Sequence, residues 1–135
     1  MRLPTRGASM SPTIISGNFI VVSAVSAGDL KPRDIALFTR GAELYAHRFV
    51  GWRQTKDGDA ALEFCGDASS KSDPLVTAED VIGIVRRIED AQDLEPEQRR
   101  PSLAARRLPM LASRIVRAGY RLLNHALAMV ASGVG

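Results

Sequence analysis

Apolar and polar positions alternate in short runs over the first ninety residues, and each run ends in turn-forming residues. Residues 18–24 are β-branched and apolar and predict a strand. Ala27-Gly28-Asp29 predicts a turn, residues 35–39 a second strand, and Arg40-Gly41 a hairpin-like turn. A long strand follows over 43–53. Lys56-Asp57-Gly58-Asp59 then predicts a tight hairpin, because Asp-Gly supplies the backbone angles such a turn needs. Residues 60–65 read as the returning strand, 66–76 as a polar loop, Thr77-Ala78-Glu79-Asp80 as a short turn, and 81–88 as a last strand. Short strands with turns every 8–12 residues predict a mainly β domain, a barrel or coiled sheet, over 1–88. Residues 1–6 read as a basic lead and 7–16 as a turn. No repeat or low-complexity segment interrupts the pattern.

The period changes after residue 88. Residues 89–102 hold Glu89, Asp90, Asp93, Glu95, Pro96, Glu97, Arg99, Arg100 and Pro101, and read as a charged linker. Residues 103–131 fit a helix at 100° per residue. Leu108, Leu111, Ile115, Val116, Leu122, Leu123, Ala126, Leu127, Met129 and Val130 fall on one face, with Met110 the main exception. Arg106, Arg107, Arg114, Arg117, Arg121, Asn124 and His125 fall on the other. Such a helix, placed over 103–135, packs its apolar face on the β domain or a partner, or lies in an anionic membrane surface. The arginines could also meet nucleic-acid phosphates, but no stacking aromatics or base-reading module accompany them, so nucleic acid is not the expected partner.

Charge sharpens that division. The chain carries 18 basic and 15 acidic residues, a formal +3. Residues 1–98 hold 11 basic and 15 acidic side chains, about −4, whereas 99–135 hold seven arginines and no acid. The two parts should therefore meet different partners. Hydrophobic content of 45% and charged content of 24% match a globular domain of ordinary size. Cys65 is the single cysteine, so no intrachain disulfide can form, and its apolar run reads as buried. No cysteine/histidine cluster suggests a metal, and no cofactor is expected.

Candidate chemistry centres on Gly7-Ala8-Ser9-Met10-Ser11-Pro12-Thr13-Ile14. Ser9 reads as a nucleophile in a tight turn. Gly7 would permit a close backbone approach, Met10 would plug the turn into the core, and Pro12 would stop a helix forming at once. The stretch resembles the nucleophile box of the signal peptidase I / LexA-like serine peptidases. Gly17 and Phe19-Ile20-Val21-Val22 continue it. Leu30 to Phe38, Tyr45-Ala46-His47-Arg48-Phe49-Val50, and Cys65-Gly66-Asp67 with Asp73-Pro74 and Val81-Ile82-Gly83-Ile84-Val85 resemble the family's later boxes, in order over 7–88.

The resemblance implies a LexA/signal-peptidase-like coiled β barrel and a serine endopeptidase that removes a leader or signal segment from a precursor peptide. A serine needs a base within hydrogen-bond reach. The base box carries His47, as in the ER and archaeal branch, and the three lysines, Lys31, Lys56 and Lys71, all fall in turns or loops. Asp73 is the first choice for the carboxylate behind His47, and Asp67 the second. Gly7 stands where many signal peptidases place an oxyanion serine, so the backbone N–H groups of Ser9 and Ala8 are the expected oxyanion donors. The family further implies small pockets for small side chains beside the cut. Asn18 and Arg33 depart from its pattern, standing where aspartate and the second glycine are usual. So does the missing anchor: eight residues precede Ser9, with no signal peptide or apolar span among them. That predicts a cytoplasmic or peripheral membrane relative, or a native start upstream. On the same residues a non-catalytic peptide- or partner-binding module is the competing expectation.

Overall fold

A computed structural model describes residues 1–100. Six strands form one antiparallel sheet: β1 (Arg2–Pro4), β2 (Phe19–Ala24), β3 (Ile35–Arg40), β4 (Glu43–Gln54), β5 (Ala60–Cys65) and β6 (Val81–Glu89). Their order across the sheet is β1-β2-β6-β3-β4-β5, with β1 and β5 at the edges. The architecture is mainly β. Short 3₁₀ turns at Ala27–Asp29, Ala78–Asp80 and Ala91–Asp93 join the strands or follow them. No helix among the described residues is long and apolar enough to cross a membrane. The amphipathic helix expected over 103–135 lies outside the described residues.

The centre of the sheet explains the apolar run of β3. Ala36 and Phe38 point into the larger core cluster, with Phe49, Leu62, Phe64, Val76 and Ile84. Leu37, between them, points into a smaller cluster with Leu3, Met10, Ile14, Ile20 and Val22. A strand buried on both faces must be apolar at successive positions rather than alternate ones. Phe38 and Phe64 stack at 4.4 Å between ring centroids and anchor the larger cluster. Bulges at Val21/Val22, Leu37/Phe38 and Phe49/Gly51 break the ladders, and each adds local twist.

Two elements differ from the sequence reading. The basic lead is a strand: Leu3 pairs with Ile20, Met1 and Val22 exchange hydrogen bonds, and Arg2 meets Glu89 at 2.8 Å. With one buried side chain, three residues show no period, so tertiary pairing alone makes this strand. The stretch read as linker stays against the sheet at its start. β6 runs on through Glu89, the Asp90 carboxylate accepts the Gln92 N–H, and Leu94 is buried.

Candidate active site

His47 sits in the middle of β4, paired with Ala36 of β3, and is 5% exposed. Arg48 pairs with Cys65, the last residue of β5, so the chain leaves the sheet at Gly66 level with His47. The loop then turns back. The Asp73 N–H donates to the Phe64 carbonyl at 2.8 Å, and Val76 exchanges two hydrogen bonds with Leu62. This return sets the Asp73 carboxylate behind the imidazole, where Oδ2 accepts from His47 Nδ1 at 2.5 Å. A carboxylate only accepts, so it holds the ring proton on Nδ1 and leaves Nε2 as an acceptor. Ser9 Oγ lies 2.9 Å from that Nε2 and donates to it.

Ser9, His47 and Asp73 thus form one hydrogen-bonded relay drawn from three distant segments. Edge contacts from Phe38 and Tyr45 wall the imidazole in, at 6.1 and 5.7 Å between ring centroids. Arg40 Nη2 stands 3.6 Å from Asp73 Oδ1, and its guanidinium lies over the Tyr45 ring at 4.6 Å. Arg40 read only as part of a hairpin turn in the sequence. Here it faces the carboxylate oxygen that His47 does not use.

The nucleophile turn is pinned from the β5–β6 loop. The Ser9 carbonyl accepts from Ala68 N–H at 2.9 Å, and Asp67 N–H contacts Met10 Sδ at 3.3 Å. Met10 is buried, as a plug would be. A Cβ on Gly66 would stand 2.5 Å from the Ser9 carbonyl oxygen, so the close approach here depends on Gly66. Gly7 has a different duty from the one its position suggested. Nothing lies within 4 Å of where its Cβ would be, but its φ is +85°, in the left-handed region. Arg33, a non-glycine, adopts φ 83°, in the left-handed region that glycine favours. Asn18 is buried, and its Oδ1 accepts the Ile15 N–H.

Asp67 does not touch His47 as a partner. Arg48 grips it with two hydrogen bonds, Nε to Oδ1 at 2.7 Å and Nη2 to Oδ2 at 2.6 Å, and Thr13 Oγ1 donates to Oδ2 at 2.5 Å. The Arg48 hydrogen bonds hold its carboxyl below the ordinary carboxylate range, with burial opposing and Thr13 assisting. Asp67 is therefore a brace joining β4, the loop and the nucleophile turn. The Ser9 and Ala8 N–H groups have no internal acceptor among the described residues.

No family model matches this chain, and no curated protein or solved structure is significantly similar to it. A cavity of about 460 Å³ opens beside the relay, lined by Ser9, His47 and residues of the smaller core cluster. Ser9 is exposed, while the base behind it is buried. An accessible hydroxyl, a base held in one tautomer and a carboxylate behind it can carry out acyl transfer. Among the described residues no cluster of side chains could hold a metal ion.

Proposed function

We propose that this chain is a serine endopeptidase of the signal peptidase I / LexA-like kind, which removes a leader segment from a precursor peptide. One observation carries the reading: Ser9 Oγ, His47 Nε2, His47 Nδ1 and Asp73 Oδ2 stand in hydrogen-bond succession at 2.9 and 2.5 Å. His47 Nε2 takes the hydroxyl proton as Ser9 Oγ attacks the peptide carbonyl carbon. Asp73 stabilises the imidazolium and keeps the ring oriented. The oxyanion falls to the Ser9 and Ala8 N–H groups. The tetrahedral adduct then expels the amine, which receives the proton from His47 Nε2, and an acyl group remains on Ser9 Oγ. Water, deprotonated by the same nitrogen, releases the acyl group and restores the hydroxyl. In this reading the six strands belong to the coiled barrel of that family, and an anionic lipid surface is the partner of residues 103–131.

The test is cleavage of leader-containing peptides by wild type, Ser9→Ala, His47→Ala and Asp73→Asn, with and without anionic vesicles. Wild type is expected to cut. Ser9→Ala and His47→Ala should lose about 10⁴-fold or more in kcat, and Asp73→Asn about 10³–10⁴-fold. Cleavage that survives Ser9→Ala would end the nucleophile assignment. A wild type that cuts nothing under either condition would leave a peptide-binding module on the same sheet.

A further inference from the structure

Strand pairing puts Arg40 on the same face as His47. In the β3–β4 ladder Ala36 stands opposite His47, Phe38 opposite Tyr45 and Arg40 opposite Glu43. Alternate residues of a strand share a face, so Phe38, Arg40, Tyr45 and His47 gather on one side of the hairpin. The Arg40 guanidinium lies over the Tyr45 ring at 4.6 Å and over the Phe38 ring at 5.8 Å. Tyr45 is held in turn by its hydroxyl, which donates to Glu43 at 2.6 Å. The guanidinium is thus seated beside Asp73, with Nη2 3.6 Å from Oδ1. That separation is too long for a hydrogen bond, and Nη2 is a buried donor with no hydrogen-bond partner among the described residues. What Arg40 gives Asp73 is therefore charge. The Asp73 side chain is largely buried, and a neutral imidazole offers it a hydrogen bond but no countercharge. A carboxylate so enclosed is costly unless a cation stands beside it.

We infer that Arg40 is the positioning residue of the relay: it holds the Asp73 carboxylate turned inward, with Oδ2 facing His47 Nδ1. Arg40 does not line the cavity beside Ser9, and it acts through Asp73 alone. The inference rests on the Ser9–His47–Asp73 reading. Its physical basis is the stand-off distance. Arg48 grips both oxygens of Asp67, at 2.7 and 2.6 Å, and leaves neither for a base. Arg40 stands off one oxygen of Asp73, and the other is left to accept from His47. Without the cation, the carboxylate gains by turning toward water. The ring proton is then no longer held on Nδ1. A neutral ring with its proton on Nε2 has no acceptor to offer Ser9 Oγ.

The chain has two histidines, His47 and His125, so NMR of the ring nitrogens reads the His47 tautomer directly, with His47→Ala fixing the assignment. Spectra of the full chain are recorded at alkaline pH, where neutral tautomers are compared, for wild type, Arg40→Met, Arg40→Lys and Asp73→Asn. Methionine keeps an apolar stem on Tyr45 and removes the charge, and lysine restores the charge. Hydrolysis of p-nitrophenyl acetate is measured alongside, with Ser9→Ala as the blank, and urea midpoints check the fold of each variant. Arg40→Gln gives the same comparison if Arg40→Met does not fold. Wild type is expected to carry its proton on Nδ1. Arg40→Met should shift it toward Nε2, as Asp73→Asn does, and Arg40→Lys should stay close to wild type. Arg40→Met should lower kcat about tenfold with KM unchanged, well short of the loss in Asp73→Asn, and Arg40→Lys should recover most of it. An Arg40→Met protein that keeps the Nδ1 proton overturns the positioning role and leaves the serine mechanism standing. So does a loss of kcat that Arg40→Lys fails to recover. The absence of Ser9-dependent hydrolysis overturns the serine mechanism, and the catalytic part of Arg40 falls with it.

Discussion

Two glycines beside the nucleophile do opposite work, and their substitutions should separate. Gly66 has room for no Cβ, because the atom it would meet is the Ser9 backbone oxygen, which cannot rotate away. Gly66→Ala is expected to cost about 1–3 kcal/mol in urea unfolding. Its activity should fall further than the lost stability explains, since the displaced atom belongs to the nucleophile's own peptide. Gly7 has room but sits at φ +85°. Gly7→Ala should cost about 1–2 kcal/mol from the left-handed backbone. Arg33 is the reverse case, a non-glycine at φ 83°. Arg33→Gly relieves that strain but adds freedom to the unfolded chain. The net is expected within about 1 kcal/mol of zero on the stabilising side, read as a higher urea midpoint. At this scale the sequence pointed to the candidate groups and concealed their supports. Ser9, His47 and Asp73 lie in stretches that resemble known peptidase boxes. Gly66 and Arg40 act through closeness to atoms far away in the chain, which local sequence does not encode.

Among the elements, the nucleophile turn closes on itself through the Ser11 N–H to Ala8 carbonyl and Ile14 N–H to Met10 carbonyl hydrogen bonds, and is tied to the loop that follows β5. Asp67 is the main tie, with Arg48 and Thr13 both donating to it. Its carboxyl is held below the ordinary carboxylate range. A carboxyl with a lowered folded pKa stabilises the fold above its unfolded pKa of about 3.9. That contribution is lost as pH falls through the folded value. Stability of the wild type is therefore expected to drop below about pH 4 in part through this brace. Asp67→Asn should be less stable than wild type at neutral pH and show a shallower decline on acidification, compared in urea titrations at several pH values. A decline as steep as in the wild type would mean that other carboxyls carry the acid sensitivity. The same brace explains why Asp67, the second choice for the relay, is not in it. Arg48 occupies both its oxygens.

For the molecule as a whole, the sheet buries its third strand on both faces and places the relay where β4 meets the returning loop. Phe64 is central to this: fully buried, stacked on Phe38, and with a carbonyl that holds the Asp73 N–H. Phe64→Ala should cost about 3–5 kcal/mol in urea unfolding. That is a large share of the roughly 5–15 kcal/mol of a small domain, and the loss should exceed any from truncating half-buried Val85.

The residues alone determined that the first ninety positions would be mainly strands, because a half-buried sheet demands alternation and a fully buried strand demands an apolar run. The resemblance of their stretches to known peptidase boxes singled out Ser9, His47 and an aspartate, Asp73 ahead of Asp67. The residues left open which aspartate meets His47, and they missed the first strand, the Gly66 contact and the size of the cavity. The tertiary structure decided these. Asp67 and Asp73 are the same residue type six positions apart, and what separates them is that Arg48 reaches one while the Phe64 carbonyl draws the other to His47. Distances across the fold arise from strand pairing and packing, and only chain folding brings those atoms together.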